Sequence, residues 1–326
     1  MRVLVTGGAG YIGGFTTRAL LEAGHEVTVV DNLVAGDARA AGGASLVVAD
    51  LADQAALEEL LAARRVEAVM HFAALKSVAQ SWVEPEHYRD VNVTGTRHLL
   101  AAMQAAGTEL LVYSSTCAVY GTPETSPVDE SYPTAPMNPY GETKLEAEAA
   151  IREVAHGGGP RYCSLRYFNA AGADTAGRFG EDPAHSVALV PSVIKAVLGD
   201  MPFLPVYGTD YPTPDGTAVR DYIHVEDLAQ GHLRALHYLA GGGESQVLNL
   251  GTGRGTSVRE VIAAVETATG KVVPVREEDR RRGDPAAIWA DASRAHAKLG
   301  WQAEYGIEDI VASAWRWQSA RRTNAS

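Results

Sequence analysis

Cysteine is scarce. Two residues in 326, Cys117 and Cys163, cannot build a disulfide framework, so a reducing compartment, the cytoplasm, is expected. Long hydrophobic runs are missing too. No uncharged apolar stretch approaches the roughly 18 residues of a membrane span. The opening run Val3-Leu4-Val5 passes straight into Thr6-Gly7-Gly8, too short for the core of a signal peptide. The ten histidines are scattered without an HExxH pair, so no metal site is expected. Positive charge is in deficit: 28 Lys and Arg against 40 Asp and Glu give a formal net charge of -12. That balance argues against a nucleic-acid or anionic-membrane partner. It leaves an anionic small molecule open, because a pocket can be locally basic on an acidic protein.

What is present is an ordinary globular balance, 46% hydrophobic and 21% charged. The length exceeds what one core usually grows to, so two lobes are expected. No internal repeat is found. The first half alternates short apolar runs (Val3–Val5, Val27–Val30, Leu46–Val48, Ala68–Phe72, Leu110–Ser114, Tyr162–Phe168) with amphipathic stretches such as 11–23, 54–63 and 139–155. Continuous apolar strands alternating with helical periods predict a doubly wound parallel α/β sheet of Rossmann type over residues 1–175. After about residue 175 prolines and glycines become frequent, and residues 176–326 are expected to form a smaller α/β substrate lobe. Segments near 221–250, Val247–Leu250 above all, are candidates to return to the first sheet. Ser257-Val-Arg-Glu260 reads as a capping box opening a helix.

The segment Thr6-Gly7-Gly8-Ala9-Gly10-Tyr11-Ile12-Gly13 follows the first strand and opens a helix. Gly8, Gly10 and Gly13 fit the dinucleotide spacing, and Gly7, Gly10 and Gly13 its wider variant. Glycines let the backbone turn and approach a pyrophosphate seated on the helix N-terminus. Asp31 ends the second strand eighteen residues after Gly13, where a carboxylate would hold the adenosine ribose hydroxyls. A 2'-phosphate beside it would be repelled. The only cation between Gly13 and Asp31 is Arg18, inside the helix, and Asn32 follows Asp31, so NAD is expected in preference to NADP.

Asn138-Pro139-Tyr140-Gly141-Glu142-Thr143-Lys144 places a good N-cap and an N1 proline before Tyr140 and Lys144, which fall on one helix face at i and i+4. A lysine ammonium and a cationic nicotinamide nearby would stabilise the phenolate. Lowering its pKa by roughly 3 units amounts to about 4 kcal/mol and brings the phenol near the operating pH of a general base. Upstream, Tyr113-Ser114-Ser115-Thr116 ends another strand, and a hydroxyl at a strand's carboxyl end is where an open α/β sheet meets its ligand. Thr116 can bond the reacting hydroxyl and pass its proton to Tyr140. Cys117 has no cationic or histidine neighbour in sequence and is read as a small buried residue.

Together these segments resemble the extended short-chain dehydrogenase/reductase family, and within it the UDP-glucose 4-epimerases. The resemblance rests on the glycine turn, Asp31-Asn32-Leu33, Asp50-Leu51, Phe72 to Val78, Asn92, Thr116, Tyr140 and Lys144. It continues through Arg166 to Gly172, Tyr207 to Thr217, Arg220 to Val225 and Arg281 to Asp284. It implies that NAD is held by Gly7, Gly10, Tyr11, Ile12, Gly13, Asp31, Asn32, Asp50, Leu51, Phe72, Ala73, Ala74, Lys76, Asn92, Tyr140, Lys144 and Phe168. It implies that a UDP-sugar meets Lys76, Thr116, Tyr140, Asn169, Leu189, Tyr207, Arg220, Tyr222 and Arg281, with Asp284 on its ribose and Ile288 walling the sugar's C2 side. Two arginines suit a diphosphate, being bidentate and permanently charged. Two departures stand out. Ala188 occupies a position where the family has a substrate-contacting Asn, and Ile288 one where well-known bacterial members have Tyr.

The reaction so implied inverts C4 of a UDP-hexose, through a transient 4-keto sugar and a recycled NAD, in a protein that is usually a homodimer. A UDP-glucuronate epimerase or decarboxylase is the rival within the family. A 4,6-dehydratase is disfavoured, since it needs Asp-Glu where Cys117-Ala118 stand.

Overall fold

The structure, a computed structural model, describes residues 1–183, 186–281 and 283–325. The amino-terminal half begins β1 (Arg2–Thr6), α1 (Tyr11–Glu22), β2 (Glu26–Asp31), β3 (Ser45–Val48), α2 (Gln54–Arg64) and β4 (Ala68–His71). Two short helices follow, α3 (Val78–Ser81) and α4 (Pro85–Arg89), and α4 runs through a π-turn over Asp90–Thr94 into α5 (Gly95–Ala106). Then come β5 (Leu110–Thr116), α6 (Pro139–His156), β6 (Arg161–Tyr167) and β7 (Asn169–Ala171).

The remainder contributes α7 (Leu189–Leu198), β8 (Leu204–Tyr207), β9 (Val219–Arg220), β10 (Tyr222–His224), α8 (Val225–Ala240) and β11 (Gln246–Leu250). It closes with β12 (Thr256–Ser257), α9 (Val258–Thr269), β13 (Val275–Glu278), β14 (Ala287–Ile288), α10 (Ser293–Leu299) and α11 (Ile307–Ala325).

Seven strands form one sheet in the order β11-β6-β5-β4-β1-β2-β3, every pairing parallel. The alternation of side chains sends Val3 and Val5 to one face and Leu4 to the other. The first face is covered by Leu228, Leu233 and Leu236 of α8 together with Trp301. The second is covered by Leu57 and Leu61 of α2, Leu99 and Met103 of α5, and Ala147 and Ile151 of α6. The strand order reverses between β1 and β4, which opens a crevice at their carboxyl ends, where such sheets bind ligands.

A third core gathers α7, α9 and α11 around Val193, Ile194, Val261 and Ile310, away from the seven-stranded sheet. The chain after residue 175 therefore divides its service. α8 and β11 complete the first layers, while α7, α9 and α11 with the short sheets β13-β8 and β12-β9-β14 build beside the carboxyl edge. Local signals hold at the helix starts. Ser257 and Glu260 form a reciprocal capping box, and Asn138 accepts from Gly141 N–H at 2.9 Å with Pro139 at the first helical position. Among the described residues, no helix is long and apolar enough to cross a membrane.

Candidate active site

The glycine turn is built by steric exclusion. Gly7 has φ +71° and lies so close to the β4 loop that a Cβ there would meet Ala73 N at 2.6 Å. A Cβ on Gly13 would overlap the Gly7 carbonyl oxygen. Gly10 caps α1 without a side-chain bond, and no acidic residue occupies the first turn. The N–H groups of Tyr11, Ile12 and their neighbours thus form an open helix N-terminus of the kind that binds anions. The Tyr11 hydroxyl is spent elsewhere, donating to Gly172 O at 2.7 Å.

Asp31 ends β2 and braces this turn. Its carboxylate accepts from Ala9 N at 3.0 Å and from Leu33 N at 2.9 Å, and Leu33 takes φ +60°. Asn32 Nδ2 donates to Asp50 Oδ2 at 2.7 Å. The Ala52 N–H and this amide hold the Asp50 carboxyl below its usual range. Leu51 is buried against α5, where a Cβ on Gly95 would lie 3.0 Å from it. Arg39, the nearest cation downstream in sequence, is bound to Asp37, and Arg18 lies over the Phe179 ring at 4.7 Å.

Phe72, Ala73, Ala74 and Lys76 follow β4 on the crevice side. Phe72 N donates to Thr6 O at 2.9 Å, and its ring stands 4.7 Å from that of His232. Asn92, in the π-turn, is buried and clamps this loop: it accepts from Leu75 N at 2.8 Å and donates to Leu75 O and Thr143 Oγ1 at 3.0 Å each. Lys76 is exposed and reaches Glu181 at 3.4 Å.

Thr116 at the end of β5 and Tyr140 at the start of α6 come together, close enough for the Thr116 hydroxyl to draw the phenol down, although they stand 24 positions apart. Lys144 follows one turn later, buried, with its Nζ 4.3 Å from the centre of the Tyr113 ring. Protein surroundings push the two groups against expectation. Burial raises the Tyr140 phenol, Tyr167 adds to the rise, and the Thr116 hydroxyl only partly offsets it. Lys144 is pushed down to about 7 by burial, against the attraction of Glu148. The predicted lowering of Tyr140 is thus not supplied by the protein alone, because desolvation outweighs its polar contacts. Cys117 is half-buried, and burial lifts its thiol to about 12, an inert value.

Later segments of the chain meet this edge, with Arg220 and Asp221 near Cys117. Register pairs Tyr222 with Asn169, and Ile288 with Arg220. Tyr222 and Phe168 are buried, Asn169 is exposed, and Leu189 opens α7 half-buried, next to an exposed Ala188. Arg281 stacks on Tyr207 with Cζ 3.8 Å from the ring centre. Arg282, within the same motif, lies outside the described residues. Arg220 lies near Cys117, whose thiol its charge draws down, and pairs with Asp284 at 3.5 Å. Asp284 is therefore tied to an arginine expected to be free for a diphosphate. Ile288 is 3% exposed and packs with Val119, Tyr120, Val128, Phe168 and Ala290. A separate cleft of about 400 Å³ lies beside α1 and α8, lined by Arg18, Glu226, Asp227 and Trp301 among others. None of the predicted site residues borders it.

The model of the NAD dependent epimerase/dehydratase family matches residues 3–251, from β1 to the end of β11. The UDP-glucose 4-epimerase of Bacillus subtilis (strain 168) is 45% identical over 331 residues, 98% of this chain and 97% of its own. The solved structure of UDP-glucose 4-epimerase from Stenotrophomonas maltophila, with bound NAD and formylated UDP-arabinopyranose, is 44% identical. It covers 100% of both chains with a TM-score of 0.96. That of Brucella ovis, in complex with NAD, is 43% identical over 96% of this chain and 97% of its own, with a TM-score of 0.94. The chain belongs to the NAD dependent epimerase/dehydratase family.

Within this family member, the sequence motifs overlooked a buried polar group. Glu148 is one further turn along α6, so Tyr140, Lys144 and Glu148 are spaced i, i+4, i+8 on one face. It accepts from Ser115 Oγ at 2.5 Å and makes a two-point ion pair with Arg166, at 3.0 and 2.6 Å. Helical spacing alone could have flagged Glu148. Its partners on β5 and β6 could not be read from spacing.

Proposed function

We propose that this family member catalyses the reversible inversion of C4 in UDP-glucose and UDP-galactose, with NAD as a tightly held, recycled cofactor. The observation that carries the reading is the meeting of Thr116, Tyr140 and Lys144 at the carboxyl edge of the sheet, beside a glycine turn shaped for a dinucleotide. NAD fits the residues present: Gly7 and Gly13 leave a cradle that a Cβ would fill, and the α1 N-terminus is open to a pyrophosphate. Gly10, Tyr11 and Ile12 would face that pyrophosphate, Asp31 and Asn32 the adenosine ribose, Asp50 and Leu51 the adenine side, and Phe72 to Lys76, Asn92, Lys144 and Phe168 the remainder. When bound, NAD supplies a hydride acceptor and donor for C4.

The chain's own work is proton handling and anchoring. Tyr140 takes the proton of the 4-hydroxyl, with Thr116 bridging the two oxygens, and returns it after inversion. Burial holds the phenol protonated at rest, so positive charge must favour the phenolate as the proton moves, and Lys144 is the nearest lysine on the same helix face. Arg220 and Arg281 anchor the diphosphate, and Tyr207, Leu189, Asn169, Tyr222 and Asp284 frame the nucleotide and sugar. An anchor remote from the reacting carbon lets the 4-keto sugar turn over without leaving.

Two finer readings accompany this one. The two thiols without a disulfide support a cytoplasmic enzyme, and the family resemblance supports a homodimer, to be checked by sedimentation. The deciding experiment is a substrate panel of UDP-glucose, UDP-galactose, their N-acetyl forms and UDP-glucuronate. Interconversion of the first pair is expected. Turnover of UDP-glucuronate alone would overturn the reading in favour of its family rival.

A further inference from the structure

The Glu148 and Arg166 side chains are 3% and 7% exposed. Burying two charges is costly, and apolar side chains of similar size would commonly serve stability as well. The pair is also tied in from several elements. Ser115, which donates to Glu148, immediately precedes Thr116 on β5. Arg166 immediately precedes Tyr167 on β6, and its Nη1 donates to the Tyr120 hydroxyl at 3.2 Å. Tyr120 donates in turn to Asn249 Oδ1 at 2.7 Å, on the edge strand β11. Two strands therefore fix one carboxylate directly, a third supports it through Tyr120, and that carboxylate sits one helical turn after Lys144.

The groups around Lys144 show why a fixed anion matters there. From β4 comes buried His71, held neutral well below its ordinary value by burial, with the Lys144 charge adding to the effect. β5 presents the Tyr113 ring. α6 itself presents Tyr140 and Glu148, and Tyr88 of α4 lies near Tyr140. Arg166 of β6 brings a further formal charge, and Glu148 stands bound to it. Of these neighbours, Glu148 alone offers Lys144 a negative charge when the phenol is protonated.

We propose that Glu148 is a positioning residue of the epimerisation: clamped by Arg166 and Ser115 one helical turn from Lys144, it holds a negative charge where it favours the ammonium form of Lys144. This rests on the roles proposed above for Tyr140 and Lys144. It predicts an electrostatic signature that a merely structural contact would not give. Removing the negative charge favours neutral Lys144, so the alkaline limb of the kcat profile, where Lys144 loses its proton, moves to lower pH.

The test uses NAD-loaded enzyme turning over UDP-galactose between pH 5.5 and about 10, a span set by the ordinary lysine value. Glu148→Gln is expected to keep NAD and to move its alkaline limb down by about one pH unit or more, a tenfold change in the Lys144 proton equilibrium. Glu148→Asp retains the charge and is expected to keep the wild-type limb even where its rate is lower. Because Glu148→Gln strands a buried Arg166, the double variant Glu148→Gln/Arg166→Met is measured alongside and is expected to shift in the same direction by less, since an opposing positive charge is removed with the anion. A folded, NAD-loaded Glu148→Gln or double variant with the wild-type alkaline limb overturns the inference. If Tyr140→Phe retains wild-type turnover, the base assignment itself falls, an outcome separate from an unmoved limb in an enzyme that still depends on Tyr140.

Discussion

The Arg220 guanidinium lies 3.5 Å from the Asp284 carboxylate, with the arginine side chain 13% and the aspartate 41% exposed. So exposed a partner contributes under about 1 kcal/mol. A charge-assisted bond to a diphosphate offers about 1.5–3 kcal/mol. The diphosphate is therefore expected to take Arg220 from Asp284, leaving the carboxylate for the ribose. Arg220→Ala and Arg281→Ala should each weaken UDP binding about tenfold to hundredfold. Calorimetric titration with UDP measures this, and a variant that binds UDP normally but has lost turnover would remove that arginine from the anchor.

Tyr140→Phe deletes the phenolic oxygen and leaves the ring packed at the start of α6. Fold and NAD content should persist while turnover of UDP-galactose falls at least about 10²-fold, the lower end for loss of a general base. Circular dichroism and the absorbance of bound cofactor check the first point, and a coupled assay the second. Near wild-type turnover would exclude Tyr140 as the base.

The dinucleotide reading makes a chemical and a steric prediction. Denatured protein should release NAD and no NADP, because a 2'-phosphate beside Asp31 would be repelled and Arg39 is already bound to Asp37. Gly7→Ala must place a Cβ 2.6 Å from Ala73 N at φ +71°. Loss of NAD from the purified variant is expected, and undiminished cofactor content would show that the β1 and β4 loops can part.

Ile288 is packed on all sides by its cluster. Ile288→Ala should therefore destabilise the fold by about 2–5 kcal/mol, read from the urea midpoint. If Ile288 also limits space at the sugar, the variant's kcat/KM for UDP-N-acetylglucosamine relative to UDP-glucose rises, and this is the outcome expected. The wild-type preference for the unsubstituted sugars is expected to be modest, about 1–3 kcal/mol. A lost midpoint with an unchanged ratio would assign Ile288 to packing alone.

Acid should destabilise the fold through buried histidines. Burial pushes His71 down to about 3 and His224 and His232 down to about 4, from an ordinary 6.5. Below 6.5 the unfolded chain takes up protons that these folded imidazoles refuse, so stability falls with pH down to about 4, by up to about 1.4 kcal/mol per unit for each. Asp227, raised to about 6 by burial, opposes this between 6 and 3.8, offsetting roughly one of the three. Urea midpoints at pH 6.5 and 4.5 should differ accordingly; equal midpoints would mean that these histidines are not held neutral.

Much of this protein is written in local pattern. The glycine spacing of Gly7, Gly10 and Gly13, the carboxylate of Asp31 at a strand end, the Asn138-Pro139 helix start, and the i, i+4 relation of Tyr140 to Lys144 are properties of short segments. Backbone sterics and helical period act on such segments directly, so the α/β class and the centre of the site were legible before any coordinates. The 176–326 half was less legible, because its strands are two to five residues long and are held by partners elsewhere in the chain.

What only the tertiary structure decided depends on residues remote in sequence. It set Thr116 against Tyr140, brought Ser115, Arg166 and Asn249 into one polar group around Glu148, and gave Arg220 to Asp284. It also showed that the protein by itself does not lower the Tyr140 phenol. A neighbouring cation is visible as a residue four positions away. Desolvation is not visible that way, since it is the sum of everything packed around the hydroxyl from β5, β6, α4 and α6.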